Sequence, residues 1–303
     1  MDPVAPGLSR RTFLQAVSAL PFGGTLDPPS AARIVGAHVH VWVKDPRFPW
    51  ARETKKPPPE DASAEMMLAL MRANGVARTV IIQVIHYRWD NRYAADVLQR
   101  YPQFFRGVAR VNPEDPAAPD QLVRLVAEDG FQGVRLSPAA DASGDWIGGP
   151  LMPPLWRRCR DLRVPMTVLA PITRMPEIAR LAEAFPDLTI VVDHMADCPL
   201  DQLRELEKLL TLRRFRRLFV KISHAWSLSA QPYPYLDAQT QIRRLYDAFG
   251  PQRLIAGSDW PIAKPFCTYA QAISLAREHI AFLNREDRRW ICGRTAEQVW
   301  SFG

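Results

Sequence analysis

"IVGAHVHVW", residues 34–42, is an apolar run interrupted by two histidines spaced two apart. In an extended strand, residues i and i+2 point to the same face. His38 and His40 therefore look one way, while Val39 and Val41 look the other. An imidazole buried without a partner is costly, so two side by side call for something between them: a metal, a substrate or an acid.

The run is the first of several. After residue 33, short segments rich in Val, Ile and Leu alternate with longer segments of helical period. The further strand candidates are "RTVIIQVI" (78–85), "FRGVARV" (105–111), "FQGVRLS" (131–137), "PMTVLA" (165–170), "LTIVVDHM" (188–195), "LFVKISHA" (218–225) and "RLIAGSDW" (253–260). Between them, "AEMMLALMRANG" ends on Asn74 and Gly75, which suit a helix C-terminus. "NRYAADVLQRYP" and "MPEIARLAEAFP" end on prolines, which stop a helix. "LDQLRELEKLLTL" also reads as one helix. A set of eight strand–helix units in about 270 residues predicts a single-domain α/β chain over residues 33–303, folded as a (β/α)8 TIM barrel. An open doubly wound sheet would want a glycine-rich turn after the first strand, and "HVHVWVKDP" has none. The proline-rich "TKKPPPED" (54–61) reads as part of a long loop, not as a domain boundary.

The net charge is +7 over 303 residues. Basic blocks such as "LRRFRRL" (212–218) carry apolar partners at helical spacing, so they read as solvated helix faces, and nucleic acid is not an expected partner. No window reaches the roughly 18 uninterrupted apolar residues of a membrane span. Cys159, Cys198, Cys267 and Cys292 match no zinc signature and read as free thiols in the core. Residues 1–32 stand apart. "LSRRTFLQAVSALPFGG" sets Arg10 and Arg11 ahead of a short apolar stretch, and "PPSAA" offers small residues suited to cleavage. This is the pattern of a twin-arginine export signal, with the export machinery as partner and the periplasm as destination. The alternative is an ordinary amphipathic helix and a cytoplasmic protein.

Chemistry in such a barrel sits at the C-terminal strand ends. Those ends offer His38 and His40 on strand 1, Gln83, His86 and Tyr87 on strand 2, and Arg110 and Asn112 on strand 3. Arg135 and Ser137 follow on strand 4, Thr167 on strand 5, Asp193 and His194 on strand 6, Lys221, Ser223 and His224 on strand 7, and Ser258 and Asp259 on strand 8. Of the 6 histidines, only His279 falls elsewhere. Strand 8 adjoins strand 1 in a closed barrel, so Asp259 should face His38 and His40. Together with His194 they make a good ligand set for one zinc or similar divalent ion. They also suffice to activate a water without metal, with Asp259 as general base.

These residues resemble the amidohydrolase superfamily: HxH on strand 1, His on strand 6 and Asp on strand 8. "AHVHVW", "QVIHYRWDNRYAADVLQRYP", "FRGVARVNP", "GFQGVRLS", "VVDHM", "VKIS" and "GSDWP" are similar to its branch that includes 2-pyrone-4,6-dicarboxylate lactonase and fuconolactonase. The resemblance implies hydrolysis of a lactone or related ester of a small, anionic substrate. It implies that His38, His40, His194 and Asp259 surround the reacting carbonyl, as catalytic residues or as ligands of one zinc or manganese ion. Arg135 would bind a substrate carboxylate, with His86, Tyr87 and Ser223 beside it. Arg135 has a second reading as a barrel-core salt bridge, and Lys221 and Ser223 as residues that hold strand ends together.

The sequence departs from its relatives in places. Arg135 and "TVLA" replace the bridging residue of strand 4 and the histidine of strand 5 that a two-metal member would bring. Ile262 stands after "SDWP" where many relatives have histidine, and "SHAWSLS" differs from the glycine-containing form common in the branch. A zinc-dependent decarboxylase on the same barrel and a non-catalytic periplasmic binding module are the alternatives.

Overall fold

The computed structural model describes residues 33–137 and 147–302; the export signal expected over residues 1–32 lies outside them. The strands are β1 (Ile34–Val39), β2 (Val76–Ile82), β3 (Phe105–Val108), β4 (Val134–Leu136), β5 (Met166–Val168), β6 (Ile190–Val192), β7 (Leu218–Lys221) and β8 (Leu254–Ile255). All neighbours pair in parallel, in the order β1-β2-β3 and β4-β5-β6-β7-β8. Parallel bridges Ala109↔Val134 and Val39↔Trp260 span the two seams between these sheets. Helices follow the strands: α1 (Ala64–Ala73), α2 (Arg92–Arg100), α3 (Ala118–Ala127), α4 (Met152–Leu162), α5 (Met175–Ala184), α6 (Glu207–Leu210), α7 (Ala225–Leu228) and α8 (Leu236–Phe249). The architecture is the (β/α)8 barrel that the alternation predicts.

The strands are shorter than their apolar runs, because polar strand ends turn away to build the site. β8 keeps only two residues. Beyond it, Asp259 N donates to His38 O (2.9 Å) and His40 N to Trp260 O (2.7 Å). Gly257 makes this approach possible: a Cβ there would lie 2.8 Å from His38 Cβ. The ladder of β1 shifts register between Gly36 and Val39, so His38 and His40 do not sit on one regular strand face. "LDQLRELEKLLTL" does not form one helix; 3-10 turns flank the four residues of α6. Arg244 Nη1 takes the Leu203 carbonyl at 2.6 Å, an acceptor that a continuous helix would have given to residue 207.

Inside the barrel, Val35, Ala37, Val80, Ile82, Val108, Val191, Phe219 and Ile255 form an apolar layer, closed by Trp300 and Phe302 from the C-terminal segment. Strand alternation then sets Arg110, Asp193 and Lys221, each two residues further on, above that layer. The four cysteines are buried free thiols. The segment "QVIHYRWDN" (83–91) ends in a backbone clamp: Asn91 Oδ1 accepts from Arg110 N and Asn91 Nδ2 donates to Arg110 O, both at 2.9 Å, tying the loop after β2 to β3.

Candidate active site

His38, His40, His194 and Asp259 are all buried at the C-terminal strand ends. His40 Nδ1 donates to the Ile82 carbonyl at 2.7 Å, because a carbonyl can only accept. In the neutral ring, Nε2 then presents a lone pair, and it faces Asp259 Oδ1 at 3.2 Å. Two acceptors at that distance repel unless a proton or a cation lies between them. His38 Nε2 approaches the same oxygen at 3.4 Å. Among the described residues, neither His38 Nε2 nor Asp259 Oδ1 has a hydrogen-bond partner, although buried polar atoms are normally satisfied. His194 leans on the His38 ring, with centroids 4.6 Å apart, and its Nδ1 meets Ser223 Oγ at 2.8 Å. One donor atom each from His38, His194 and Asp259 lies within 4.8 Å of the others. Two imidazoles, one carboxylate and orphaned donor atoms fit a divalent metal.

A buried charge cluster supports His38 from below. Lys221 Nζ lies 2.9 Å from Asp193 Oδ1 and 3.2 Å from His38 Nδ1, while Arg135 Nε donates to Asp193 Oδ2 at 2.9 Å. Burial alone would raise the Asp193 carboxyl, but Lys221 and Arg135 hold it well below the ordinary carboxylate range. Burial, helped by Lys221, lowers the His38 ring to about 3, so it is neutral. Its Nδ1 lies between a donor, Lys221, and an acceptor, Asp193 Oδ1 at 3.6 Å. Accepting from Lys221 puts the ring hydrogen on Nε2, facing Asp259. Donating to Asp193 instead leaves Nε2 a lone pair for a metal. The supporting cluster thus permits both uses of the site.

His224, at the end of β7, completes the constellation. Its Nδ1 lies 3.0 Å from Asp197 Oδ1 and its Nε2 lies 2.7 Å from Asp259 Oδ2. Its ring stacks flat on His194, at 3.5 Å and 4°. Burial would lower its pKa, but the hydrogen bonds to Asp197 and Asp259 outweigh that and raise it to about 9. Burial likewise opposes, and His224, His40 and His38 outweigh, so that the Asp259 carboxyl stays well below its ordinary value.

The sequence-derived site therefore divides. His38, His40, His194 and Asp259 come together, with His40 outside the ligand group of three and in contact with it through Asp259 Oδ1. Ser223 is buried and holds His194. Arg135 forms the barrel-core salt bridge. Tyr87, expected beside the substrate, has its hydroxyl engaged elsewhere: it donates to Val43 O at 2.8 Å and accepts from Val43 N at 3.0 Å, with the ring stacked on Trp50. It latches the loop after β1. His86 is half-buried, edge-on to Trp42 and Trp50. His224 and Asp197 are the members to which sequence reasoning gave no role.

A family model described as "Amidohydrolase" matches residues 35–302. L-fucono-1,5-lactonase of Burkholderia ambifaria is 28% identical over 235 residues, covering 76% of this chain and 81% of that protein. A 2-pyrone-4,6-dicarboxylate hydrolase of Comamonas testosteroni is 27% identical over 245 residues, covering 76% of this chain and 77% of that protein. Among solved structures, one described as a 2-pyrone-4,6-dicarboxylic acid hydrolase from Pseudomonas putida superposes with a TM-score of 0.77 at 24% identity, covering 89% of this chain and 98% of that one.

Proposed function

This chain belongs to the amidohydrolase family, and we propose that it hydrolyses a lactone or related ester of a small acid bearing carboxylate or hydroxyl groups. The names of the two lactone-hydrolysing relatives described above support the reaction class. The observation that carries the reading is the buried, unpartnered Oδ1 of Asp259 beside His38 and His40.

In this reading, water adds to the ester carbonyl carbon while its proton passes to Asp259 Oδ1. Collapse of the tetrahedral adduct breaks the ring C–O bond. The released alkoxide recovers the proton, and the product is a hydroxy acid. His38, His40 and His194 supply the polarising environment for the carbonyl oxygen. Arg135 would meet a substrate carboxylate with the end of its guanidinium. One divalent ion, zinc or manganese, would be held by His38, His194 and Asp259 and would supply Lewis-acid activation; without it, the same residues serve the metal-independent route. The segment around Arg10 and Arg11 supports export to the periplasm by the twin-arginine route, which fractionation of cells with and without an Arg10→Lys, Arg11→Lys change would check.

The test of the reaction is a panel of five- and six-membered lactones, with and without carboxylates, followed by acid release. We expect ring opening by the wild type and a loss of about 10²–10⁴-fold in turnover for Asp259→Asn with unchanged circular dichroism. Wild-type turnover in a well-folded Asp259→Asn, or release of carbon dioxide in place of ring opening, would overturn the reading.

A further inference from the structure

His224 adopts φ +67°, and its two carboxylate partners Asp197 and Asp259 adopt φ 44° and 55°. An L side chain enters this left-handed region at a cost, and single residues held there cluster at functional sites. Here three such residues are joined by hydrogen bonds. His224 has a carboxylate oxygen against each ring nitrogen. Carboxylates only accept, so the ring donates from both nitrogens. The bond to Asp259 Oδ2 fixes the rotation of that carboxylate and leaves Oδ1 alone turned toward His38 and His40. The same ring lies flat on His194, whose Nδ1 is held by Ser223 Oγ. One side chain therefore sets the orientation of two groups placed at the reacting carbonyl.

We propose that His224, anchored by Asp197, is a positioning residue for the hydrolytic site, locking Asp259 through Oδ2 so that a single oxygen meets the attacking water. The proposal rests on the hydrolytic reading above. It separates His224 from a residue that merely packs. A residue that merely packs would be replaceable by glycine at a cost in stability but with no loss of rate in the folded variant.

The experiment is His224→Gly, which relieves the backbone and removes the imidazole, together with Asp197→Asn. The melting temperature of His224→Gly should fall, because the buried Asp259 carboxylate loses a partner and the ring leaves a cavity, so kcat is compared at a temperature where circular dichroism shows the variant folded. Its kcat on the lactone opened by the wild type should fall about 10–100-fold, the range for groups that orient a catalytic residue, with KM nearly unchanged. Asp197→Asn should fall in the same direction and less. Because His224 acts through Asp259, adding His224→Gly to Asp259→Asn should cost little more. A kcat within twofold of wild type in His224→Gly overturns the proposal, as does full additivity in the double variant. A readout independent of turnover is the nitrogen-edited proton spectrum of the resting protein. It should contain two slowly exchanging His224 ring N–H protons, and the Nε2–H signal should move in Asp259→Asn. Absence of that proton overturns the proposal. A wild type that shows the proton but opens no lactone would instead overturn the hydrolytic reading.

Discussion

His40 and Asp259 face each other at hydrogen-bond distance: His40 Nε2 stands 3.2 Å from Asp259 Oδ1 while His40 Nδ1 is bonded to the Ile82 carbonyl. A nitrogen and a carboxylate oxygen so placed call for a positive particle between them. A proton would make the pair a charge-assisted hydrogen bond, and a metal ion would draw His38 and His194 into the same centre.

The first prediction takes the metal. Protein purified without chelator should carry close to one zinc or manganese ion per chain by elemental analysis, and His38→Ala and His194→Ala should carry none. A fully active preparation with well under one ion per chain would mean that a proton occupies the contact.

Arg135→Lys keeps the charge but gives up the planar fork that serves Asp193. The Michaelis constant for carboxylate-bearing lactones should rise while that for neutral lactones changes little. Arg135→Met should be far more damaging to the fold, by about 3–5 kcal/mol, because it strips one partner from a buried carboxylate. Chemical denaturation of both variants distinguishes the substrate role from the structural one.

Tyr87→Phe should lower stability by about 1–3 kcal/mol through loss of two hydrogen bonds to the Val43 backbone. The catalytic rate should stay near that of the wild type. A large loss of rate at unchanged melting temperature would restore Tyr87 to the substrate pocket.

Acid exposes a different pair. Burial would raise the Glu65 carboxyl, but the Arg100 guanidinium, with Tyr101 and Ser63, holds it down to about 2, against an ordinary value of 4.5. A depressed folded-state value means that the ionised form stabilises the fold above about pH 4.5 and that this contribution disappears as the pH falls toward 2. The stability gap between wild type and Glu65→Gln should therefore be widest near neutrality and narrow steadily through that window. A gap independent of pH would show that the ion pair contributes nothing.

The barrel was legible because its strands are short apolar runs of regular spacing, and the same spacing put polar residues at one rim. Adjacency of the first and last strands then brought Asp259 to His38 and His40. What the rim residues bond to was less legible. The resemblance sets Tyr87 in the pocket, and a hydroxyl at a strand end gives no sign that a backbone segment 44 residues away will claim it. His224 was visible at its strand end, but its partner Asp197 was not. Asp197 is carried there by four consecutive left-handed residues, His194 to Asp197, none of them glycine. A left-handed turn is normally announced by glycine, and one built without it leaves no mark in the sequence.

The seam bridged by Val39 and Trp260 also bears on the order of folding. His38 lies on the first strand of the three-stranded sheet and His40 just beyond its end, and His194, His224 and Asp259 lie in the loops that follow strands of the five-stranded one. An intermediate that has formed only the larger sheet would possess the carboxylate and its clamp but lack the imidazoles they oppose. It would be compact and chemically silent. Competence arrives when the edges bridged by Val39 and Trp260 meet, so the recovery of turnover during refolding times that closure and not the collapse of either sheet.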